Sequence, residues 1–574
     1  MTSKFIKEPE SSTIDESEWD GDWDKDLEPS VDQEYSALLR SIRWAKGFGL
    51  LFLQCSPAEG ERLLKRIKKD IGGKRFNRLA LDKSVTDLYQ LLQAEPDIDQ
   101  TDVLFITGLE KSLIDYMEPG PERTYTAQDF YAEDKIPRLL GQLNLQREIL
   151  KETFPLCFVF LVPRYAIKYL VRKAPDFFDW RAGVWEFVSP DAEIQQKSQQ
   201  ILQEGDYEEY LSWSSAQRRE RIFEINDLVS EGSLEDEEVA SLRFEQGNIY
   251  AADGRDEDAI QAYDAALAIK PDKHAALSNK GNSLANMGRY EDAIQAYDAA
   301  LAIKPDKHEA LYNKGISLDN MGRYEDAILA YDAALAIKPD KHEALSNKGN
   351  SLANMGRYED AILAYDAALA IKPDLHEALY NKGNSLANMG RYEDAILAYD
   401  AALAIKPDLH EALYGKGISL LSLEFYEEAI LSFDQASTYT SPVPEVLILK
   451  GFALIGAKKY HEALSNCGEI LKAKPDNDYA WIGQGYSYLK LDQLSEAKKS
   501  LDKALELNPE NTTALESMAL YFLLGDNPNQ ALDYLEKSIQ LDQARKAEIA
   551  DDEDFAPLHH DPRFSDLINP TELS

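Results

Sequence analysis

The sequence predicts a multidomain protein, in which an N-terminal α/β domain with a parallel sheet precedes a C-terminal, all-α superhelical solenoid. Residues 240–545 repeat themselves with a period of 34, which is typical of stacked helical units. Residues 35–190 instead alternate short apolar runs with helical patterns. The net charge of −40 is also uneven, at −9 for residues 1–34, +2 for 35–190 and −33 beyond.

Each 34-residue unit is predicted to form two helices. Units 342–375 and 376–409 differ at a single position. In unit 308–341, Gly322 is expected to end the first helix in a left-handed turn, and the second should begin at about Tyr324. The pairs Asp306/Glu309, Asp340/Glu343, Asp374/Glu377 and Asp408/Glu411 predict a capping box at the start of each following unit.

The repeated unit closely resembles the tetratricopeptide repeat. The resemblance covers nine units in 240–545, of which the ninth, 512–545, keeps little of the pattern. It implies helix pairs whose first helices line a concave groove that binds a protein or peptide segment. The signature positions are represented in one unit by Gly281, Gly288, Tyr290, Ala293, Tyr297, Ala300 and Pro305.

Asparagines recur at three positions of the first helices, three and four residues apart. An asparagine amide both donates to and accepts from a peptide backbone, so these residues are the predicted partner-binding residues. The alternative is that duplication copied them without a binding role. They are Asn279, Asn313, Asn347 and Asn381; Asn286, Asn320, Asn354 and Asn388; and Asn282, Asn350 and Asn384.

The region 35–190 resembles the core of the STAND/AAA-type P-loop ATPases. Leu104–Glu110 is similar to the Walker B strand, Leu143–Arg147 to a Leu-Asn-x-x-Arg stretch, and Ala174–Arg181 to an Ala-Pro-Asp-aromatic-x-x-Arg segment. The resemblance implies a nucleotide-binding-like domain with a possible vestigial nucleotide site at Glu110, Arg147 and Arg181.

The phosphate loop of that family is absent from the sequence. Such a loop needs glycines, a lysine for the phosphates and a Ser or Thr for magnesium. The turn after the first strand, 54–61, has one glycine, no lysine and two acids. We therefore expect a degenerate, non-catalytic domain, with an atypical signalling ATPase as the alternative.

The remaining segments receive simpler predictions. Residues 1–34 are expected to form a disordered acidic tail, 191–239 a helical linker, and 546–574 a capping segment for the last repeat. The basic helix 65–78 raises nucleic-acid binding as a further alternative, but it lacks aromatic residues for base stacking. No metal site is expected, because histidines 34 residues apart lie about 10 Å from one another in stacked helices.

These features predict a non-enzymatic interaction scaffold without a cofactor. The acidic solenoid favours a neutral or basic protein or peptide partner and disfavours nucleic acid and anionic membranes. The sequence has no apolar segment long enough to span a bilayer, and its three cysteines are widely separated. We expect a cytoplasmic location; the partner's identity and the oligomeric state are left open.

Overall fold

The computed structural model describes residues 31–114, 137–187, 189–230, 232–439 and 444–568. The chain divides into two compact units, Met1–Pro305 and Asp306–Ser574. The first unit contains the α/β domain, the helices that follow it and the first repeats. The second unit contains the later repeats and the C-terminal segment.

A five-stranded parallel sheet forms the centre of the α/β domain, as the alternating pattern predicts. Its strands are β1 Gly49–Gln54, β2 Phe76–Ala80, β3 Val103–Thr107, β4 Cys157–Val162 and β5 Arg181–Glu186. Their spatial order is β2-β3-β4-β1-β5, and every neighbouring pair is parallel. The fifth strand begins at Arg181, which pairs with Leu50 of β1.

Helices cover both faces of this sheet, so its central strands are apolar on both sides. Phe52 and Phe160 lie on one face with their ring centroids 5.0 Å apart, whereas Leu53 and Leu161 belong to the core on the other face. The helices of this domain are α1 Val31–Trp44, α2 Pro57–Asp70, α3 Leu88–Ala94, α4 Arg138–Thr153, α5 Arg164–Lys173 and α6 Pro175–Phe178.

Helix α1 corrects the boundary of the predicted acidic tail. The helix begins at Val31, so residues 31–34 are helical, and residues 1–30 of the predicted tail lie outside the described residues. Asp32 and Glu34 stand in its first turn, where the helix dipole favours negative charge. The buried stripe that follows, which includes Tyr35, packs in the core beneath β1. The acidic composition concealed this short amphipathic pattern.

Three helices connect the α/β domain to the repeats, in the region predicted to be a helical linker. They are α7 Asp191–Glu204, α8 Tyr207–Ser212 and α9 Ser215–Ser230. Ile201, Tyr210 and Ile225 share one core with Ile249 and Tyr250 of the first repeat helix. These helices therefore cover the apolar surface that an open first repeat would otherwise expose.

The repeats consist of paired helices, and in unit 308–341 the second helix begins at the predicted Tyr324. The pairs in the first unit are α10 Asp236–Ala252 and α11 Asp256–Ile269, and α12 His274–Asn286 and α13 Tyr290–Ile303. The pairs in the second unit are α14 His308–Asn320 and α15 Tyr324–Ile337, α16 His342–Asn354 and α17 Tyr358–Ile371, α18 His376–Asn388 and α19 Tyr392–Ile405, α20 His410–Ser422 and α21 Tyr426–Tyr439, α22 Pro444–Gly456 and α23 Tyr460–Ala473, α24 Asp478–Lys490 and α25 Leu494–Leu507, and α26 Thr512–Leu524 and α27 Pro528–Leu541.

Each central repeat has two glycines, and each is required for a different structural reason. A Cβ on Gly349 would lie 2.6 Å from the Cε1 atom of Tyr365, so only glycine lets the paired helices approach around this ring. Gly356 has a φ of +76°, the left-handed turn predicted for the end of the first helix. Together they explain why the repeat keeps both positions.

The predicted capping boxes are wrong. The residue that caps α16 is Lys341, without a side-chain hydrogen bond to the helix, and the same holds at Lys307, Leu375 and Leu409. The helix begins at His342, which places Asp340 one residue too early to accept from its first N–H groups. The sequence has the three-residue spacing of a capping box, but the aspartate lies one residue before the position that caps the helix.

The C-terminal segment packs against the last repeat. It contains α28 Arg545–Asp551, a 3₁₀ helix Glu553–Leu558 and α29 Pro562–Ile568. Phe555, Leu558 and Phe564 are buried in one cluster with Leu535 and Ile539 of α27. This burial removes apolar surface at the end of the repeats from water.

Candidate functional site

The predicted asparagine stripe lies on the first helices of the repeats, and its three rows have different environments. The bridging row, Asn279, Asn313, Asn347 and Asn381, is half-buried. Asn381 donates from Nδ2 to Oδ1 of Asn350 in the preceding repeat at 2.9 Å, and Asn347 donates to the hydroxyl of Tyr312 at 3.1 Å. These amides therefore connect neighbouring repeats within the fold.

The tyrosine-bonded row consists of Asn282, Asn350 and Asn384. In each repeat, the buried tyrosine of the second helix donates its hydroxyl to the asparagine Oδ1 at 2.8 Å. Burial raises the pKa of Tyr365 and Tyr399 well above the usual value, so both hydroxyls keep the proton that they donate. A polar atom on the predicted binding stripe thus satisfies the core of the repeat.

The exposed asparagine row, Asn286, Asn320, Asn354 and Asn388, faces solvent. Asn320 and Asn388 donate from Nδ2 to the main-chain carbonyl four residues earlier, each at 2.9 Å. Within the described residues, the Oδ1 atoms of Asn320, Asn354 and Asn388 accept no hydrogen bond. This row therefore offers acceptors to a partner.

The asparagine amide groups that form no hydrogen bond among the described residues recur in a regular pattern. Within the part of the chain that the structure describes, the Nδ2 groups of Asn350 and Asn384 donate no hydrogen bond. Each stands one helical turn before an exposed acceptor, Asn354 or Asn388. Residues one turn apart have Cβ atoms about 5–6 Å apart. A donor and an acceptor this close can bind the C=O and the N–H groups of one backbone segment.

One repeat departs from the pattern. In α14, Ile316 occupies the position of Asn350, and the hydroxyl of Tyr331 donates instead to Asp319 at 2.6 Å. Asp319 also accepts from Ser351 of the next repeat at 2.6 Å, and burial raises the pKa of its carboxyl. The requirement that a tyrosine hydroxyl find an acceptor is therefore met by a different residue.

Two repeated features were missed by the sequence analysis. Lys348, Lys382, Lys416 and Lys450 each pair with an aspartate of the preceding second helix at 2.5–2.6 Å. The exposed leucine row, Leu329, Leu363, Leu397 and Leu431, presents side chains that are 61–67% exposed on the second helices. Glutamine occupies the same position in the two earlier units, at Gln261 and Gln295. A comparison of the units position by position would have found both.

The structure does not bring the three residues of the predicted nucleotide site together. Arg181 begins β5 and pairs in register with Leu50, near the amino end of β1. Glu110 follows the opposite, carboxyl end of β3. Arg147 forms an ion pair with Asp176 at 3.0 Å. Two of the three side chains therefore lie away from the carboxyl edge at which open α/β sheets bind ligands.

The turn after β1 is built without a phosphate cradle. Ser56 caps α2 by accepting from the N–H of Glu59 at 3.2 Å, and Pro57 occupies the first turn. An anion at this helix end would compete with the Ser56 hydroxyl and approach the carboxylate of Glu59. The geometry agrees with the missing lysine in disfavouring phosphate here.

The predicted basic helix 65–78 is not one helix, because α2 ends at Asp70 and β2 begins at Phe76. Acids partly neutralise this basic cluster. Arg78 pairs with Glu61, and Arg75 pairs with Asp102 at 3.3 Å. Arg66 lies 3.8 Å from the centroid of the Tyr35 ring. Lys74 donates to the carbonyl of Ala45 at 2.7 Å. These contacts hold the cluster on the surface of its own domain and leave less charge for a nucleic-acid backbone.

The three cysteines are core residues. All three are buried and unpaired, and burial raises the pKa of each thiol to about 12. A thiol with this pKa is almost wholly protonated at neutral pH, which makes it a poor nucleophile. Among the described residues, no helix is both long and apolar enough to cross a membrane.

Comparisons with known families identify the repeats. Tetratricopeptide repeat models match residues 278–342, 346–410 and 380–442, and also 454–520, and a TPR repeat model matches 247–288. These parts of the chain are tetratricopeptide repeats. The match agrees with the helix pairs, the glycine–tyrosine packing and the 34-residue period.

The solved structures described next each cover about a third of this chain. The crystal structure of MamA protein is 25% identical over 29% of this chain and 91% of its own, with a TM-score of 0.28. YrrB, described as a TPR protein with an unusual peptide-binding site, is 22% identical over 31% and 93%, with a TM-score of 0.27. Pseudomonas aeruginosa pilF is 19% identical over 36% and 94%, with a TM-score of 0.32. No curated protein matches this chain.

Proposed function

We propose that this protein is a non-enzymatic scaffold whose tetratricopeptide repeats bind an extended, neutral or basic segment of a partner protein. The observation that carries the proposal is the pairing of an unused amide donor with an unused amide acceptor one turn later, at Asn350/Asn354 and Asn384/Asn388. Such pairs bind a peptide backbone whatever its side chains are. The net charge of −33 beyond residue 190 disfavours an anionic segment.

Because some asparagines form hydrogen bonds within the fold, the exposed asparagine row is the better choice for testing peptide binding by mutation. Alanine in the bridging row would break contacts between repeats, such as Asn381 to Asn350, and so mix folding with binding. Alanine in the exposed asparagine row removes surface acceptors and stabilises each helix slightly, because alanine is the better helix former. The triple variant Asn320→Ala/Asn354→Ala/Asn388→Ala therefore separates the two effects.

The probe is a phage-displayed library of random peptides about ten residues long, which span about three stacked repeats when extended. Peptides selected on the full chain are then measured by calorimetry. Each lost hydrogen bond costs about 0.5–1.5 kcal/mol, so the triple variant should weaken binding about ten- to a thousandfold.

The matched control changes the opposite helices. Leu329→Gln/Leu363→Gln/Leu397→Gln introduces the residue that the chain itself carries at Gln261 and Gln295, and it should leave the affinity unchanged. If the leucine variant loses binding and the asparagine variant does not, the partner docks on the second helices. The asparagines would then be copies without a binding role.

For the α/β domain we propose a non-catalytic relative of the P-loop ATPases, in a protein that works in the cytoplasm. The parallel sheet and the segments around Glu110 and Ala174–Arg181 support the relationship, while the turn at Ser56 supports the loss of phosphate binding. Calorimetry with Mg-ATP should show no binding at micromolar concentrations. Saturable binding that Glu110→Ala abolishes would favour the signalling-ATPase alternative.

A further inference from the structure

A cavity opens at the carboxyl edge of the parallel sheet. Its volume is about 540 Å³, within the range of small-molecule sites. Its walls come from the turn after β1, the start of α5, the end of β5 and the helices α7 and α9. The chain leaves β1 toward β2 on one side and crosses from β4 to β5 on the other. Ligands of open α/β sheets bind where the connections diverge in this way.

The lining of this carboxyl-edge cavity is acidic. Arg164 and Lys197 contribute two positive charges. Six carboxylates outnumber them: Glu110, Glu186, Glu193, Glu220, Glu224 and Asp227. A phosphate or a carboxylate ligand would therefore meet net repulsion. The site that a nucleotide would occupy in a related fold suits a positively charged ligand.

Three of these carboxylates already have partners within the protein. Glu193 pairs with Arg62, and Glu224 pairs with Lys197 at 3.3 Å and with Arg221 at 3.2 Å. Glu186 accepts a hydrogen bond from the side-chain amide of Gln54 at 2.5 Å. These groups shape the wall, so the ligand must be recognised by other carboxylates.

One oxygen of the Glu110 carboxylate lacks a hydrogen bond among the described residues. Glu110 is 9% exposed, and this oxygen, Oε2, is buried. Burial raises the pKa of Glu110, and Glu220 adds to this effect, while a main-chain hydrogen bond and the charge of Lys111 oppose it. A buried charge is costly unless a charged or hydrogen-bonding group compensates it. A cation in the cavity would supply the missing partner.

The backbone holds Glu110 firmly in this position. Gly108 ends the turn after β3 with a φ of +82°, and a Cβ there would lie 2.3 Å from the carbonyl oxygen of Leu81. A 3₁₀ helix, Leu109–Ser112, follows at once. The position of the carboxylate is thus set by a tight main-chain contact and not by a flexible loop.

The lining distinguishes an organic cation from a metal ion. Among the described residues, no three His, Cys, Asp or Glu side chains stand close enough together to hold a metal. Calcium or magnesium would require six or more oxygen ligands at about 2.0–2.6 Å. The walls also include the apolar side chains of Phe187, Ile194 and Leu228. An alkyl chain can pack on these residues, whereas a bare ion cannot.

We propose that the carboxyl-edge cavity binds a linear alkyl polyamine, whose terminal ammonium group donates hydrogen bonds to the carboxylate of Glu110. The methylene chain packs on the apolar wall, and a second ammonium group lies toward Glu220 on the exposed side of α9. The inference concerns the α/β domain and does not depend on peptide binding by the repeats.

The test is calorimetry of the full chain with spermidine at an ionic strength of about 0.15 M, where weak surface attraction is screened. We expect one saturable site per chain. Glu110→Gln should weaken binding about ten- to a hundredfold, because a hydrogen bond to a charged group is lost. Glu152→Gln removes the same charge from an exposed position on α4 and should leave the affinity unchanged.

A second variant keeps the test valid if Glu110→Gln does not fold. Glu220→Gln alters an exposed residue at the rim and should weaken spermidine by about threefold or more. Equal losses in Glu220→Gln and Glu152→Gln would show general charge attraction and overturn the proposal. A short lysine-containing peptide that binds at this site when spermidine does not would also overturn it, and would assign the cavity to a partner's lysine.

Discussion

The tetratricopeptide repeats and the α/β domain treat their polar groups differently. In the repeats, Asn350 accepts from Tyr365 of its own repeat and from Asn381 of the next, so one amide serves both the core and the stacking. In the α/β domain, Oε2 of Glu110 is buried without a partner among the described residues. The repeats spread these hydrogen bonds over several equivalent sites, whereas the Glu110 carboxylate occurs once in the chain.

The difference has a consequence for mutation. Each repeat contact is weak and occurs several times, so the loss of one should be tolerated locally. The tight turn at Gly108 and the charge at Glu110 each occur once. Single substitutions there should therefore affect the α/β domain more strongly, or in a more specific way, than comparable changes affect the repeats.

The largest effect is expected at Gly108. Gly108→Ala places a Cβ 2.3 Å from the Leu81 carbonyl oxygen at a φ of +82°, and should lower the free energy of unfolding by about 3 kcal/mol or more. Gly47→Ala has nearly the same φ, +81°, and no atom within 4 Å, so it should cost only about 1 kcal/mol. Urea denaturation measures both. Equal costs would show that the turn is not as tight as described.

A smaller effect is expected from overpacking in a repeat. Ala361 is fully buried in α17, so Ala361→Leu should cost about 1–3 kcal/mol in the same assay. Leu363, two residues later on the same helix, is 67% exposed, and Leu363→Ala should change stability by less than about 0.5 kcal/mol. A larger loss of stability from Leu363→Ala than from Ala361→Leu would contradict the assignment of buried and exposed positions on this helix.

The smallest effect tests the unpaired carboxylate through its pH dependence. Folding raises the pKa of Glu110 above its ordinary value of 4.5, so its ionisation destabilises the folded state as the pH rises above 4.5. Glu110→Gln should therefore stabilise the protein at high pH, and the gain should vanish below pH 4.5. Thermal melts at several pH values measure this. The same gain at every pH would mean that ionisation is not its cause.

The local structure of the repeats could be predicted from the sequence because each 34-residue unit contains the residues that begin and end its helices. Tyr324 begins the second helix and Gly322 ends the first, as predicted. The capping boxes failed because a spacing of three residues does not reveal which residue begins the helix. For Asp340, an error of one position removed the predicted hydrogen bond.

The role of the asparagines could be predicted only in part. The sequence places Asn347, Asn350 and Asn354 on one helical stripe, because their offsets are three and four residues. It does not show that Asn350 accepts from Tyr365, or that Asn381 reaches across to it, because these contacts depend on how neighbouring helices pack. Similarly, Glu110 was found by its place after a strand, but only the structure shows that its Oε2 atom is buried without a hydrogen bond among the described residues.

The most direct test of the account uses the peptide backbone itself. N-methylation removes backbone N–H donors at alternate residues of a selected peptide while its side chains stay unchanged. An extended peptide turns alternate residues to the protein, so methylation of one alternate set should weaken binding to the full chain at least about tenfold. Methylation of the other set should have little effect. If neither set matters, the repeats do not recognise a peptide backbone through their asparagines, and the central claim is contradicted.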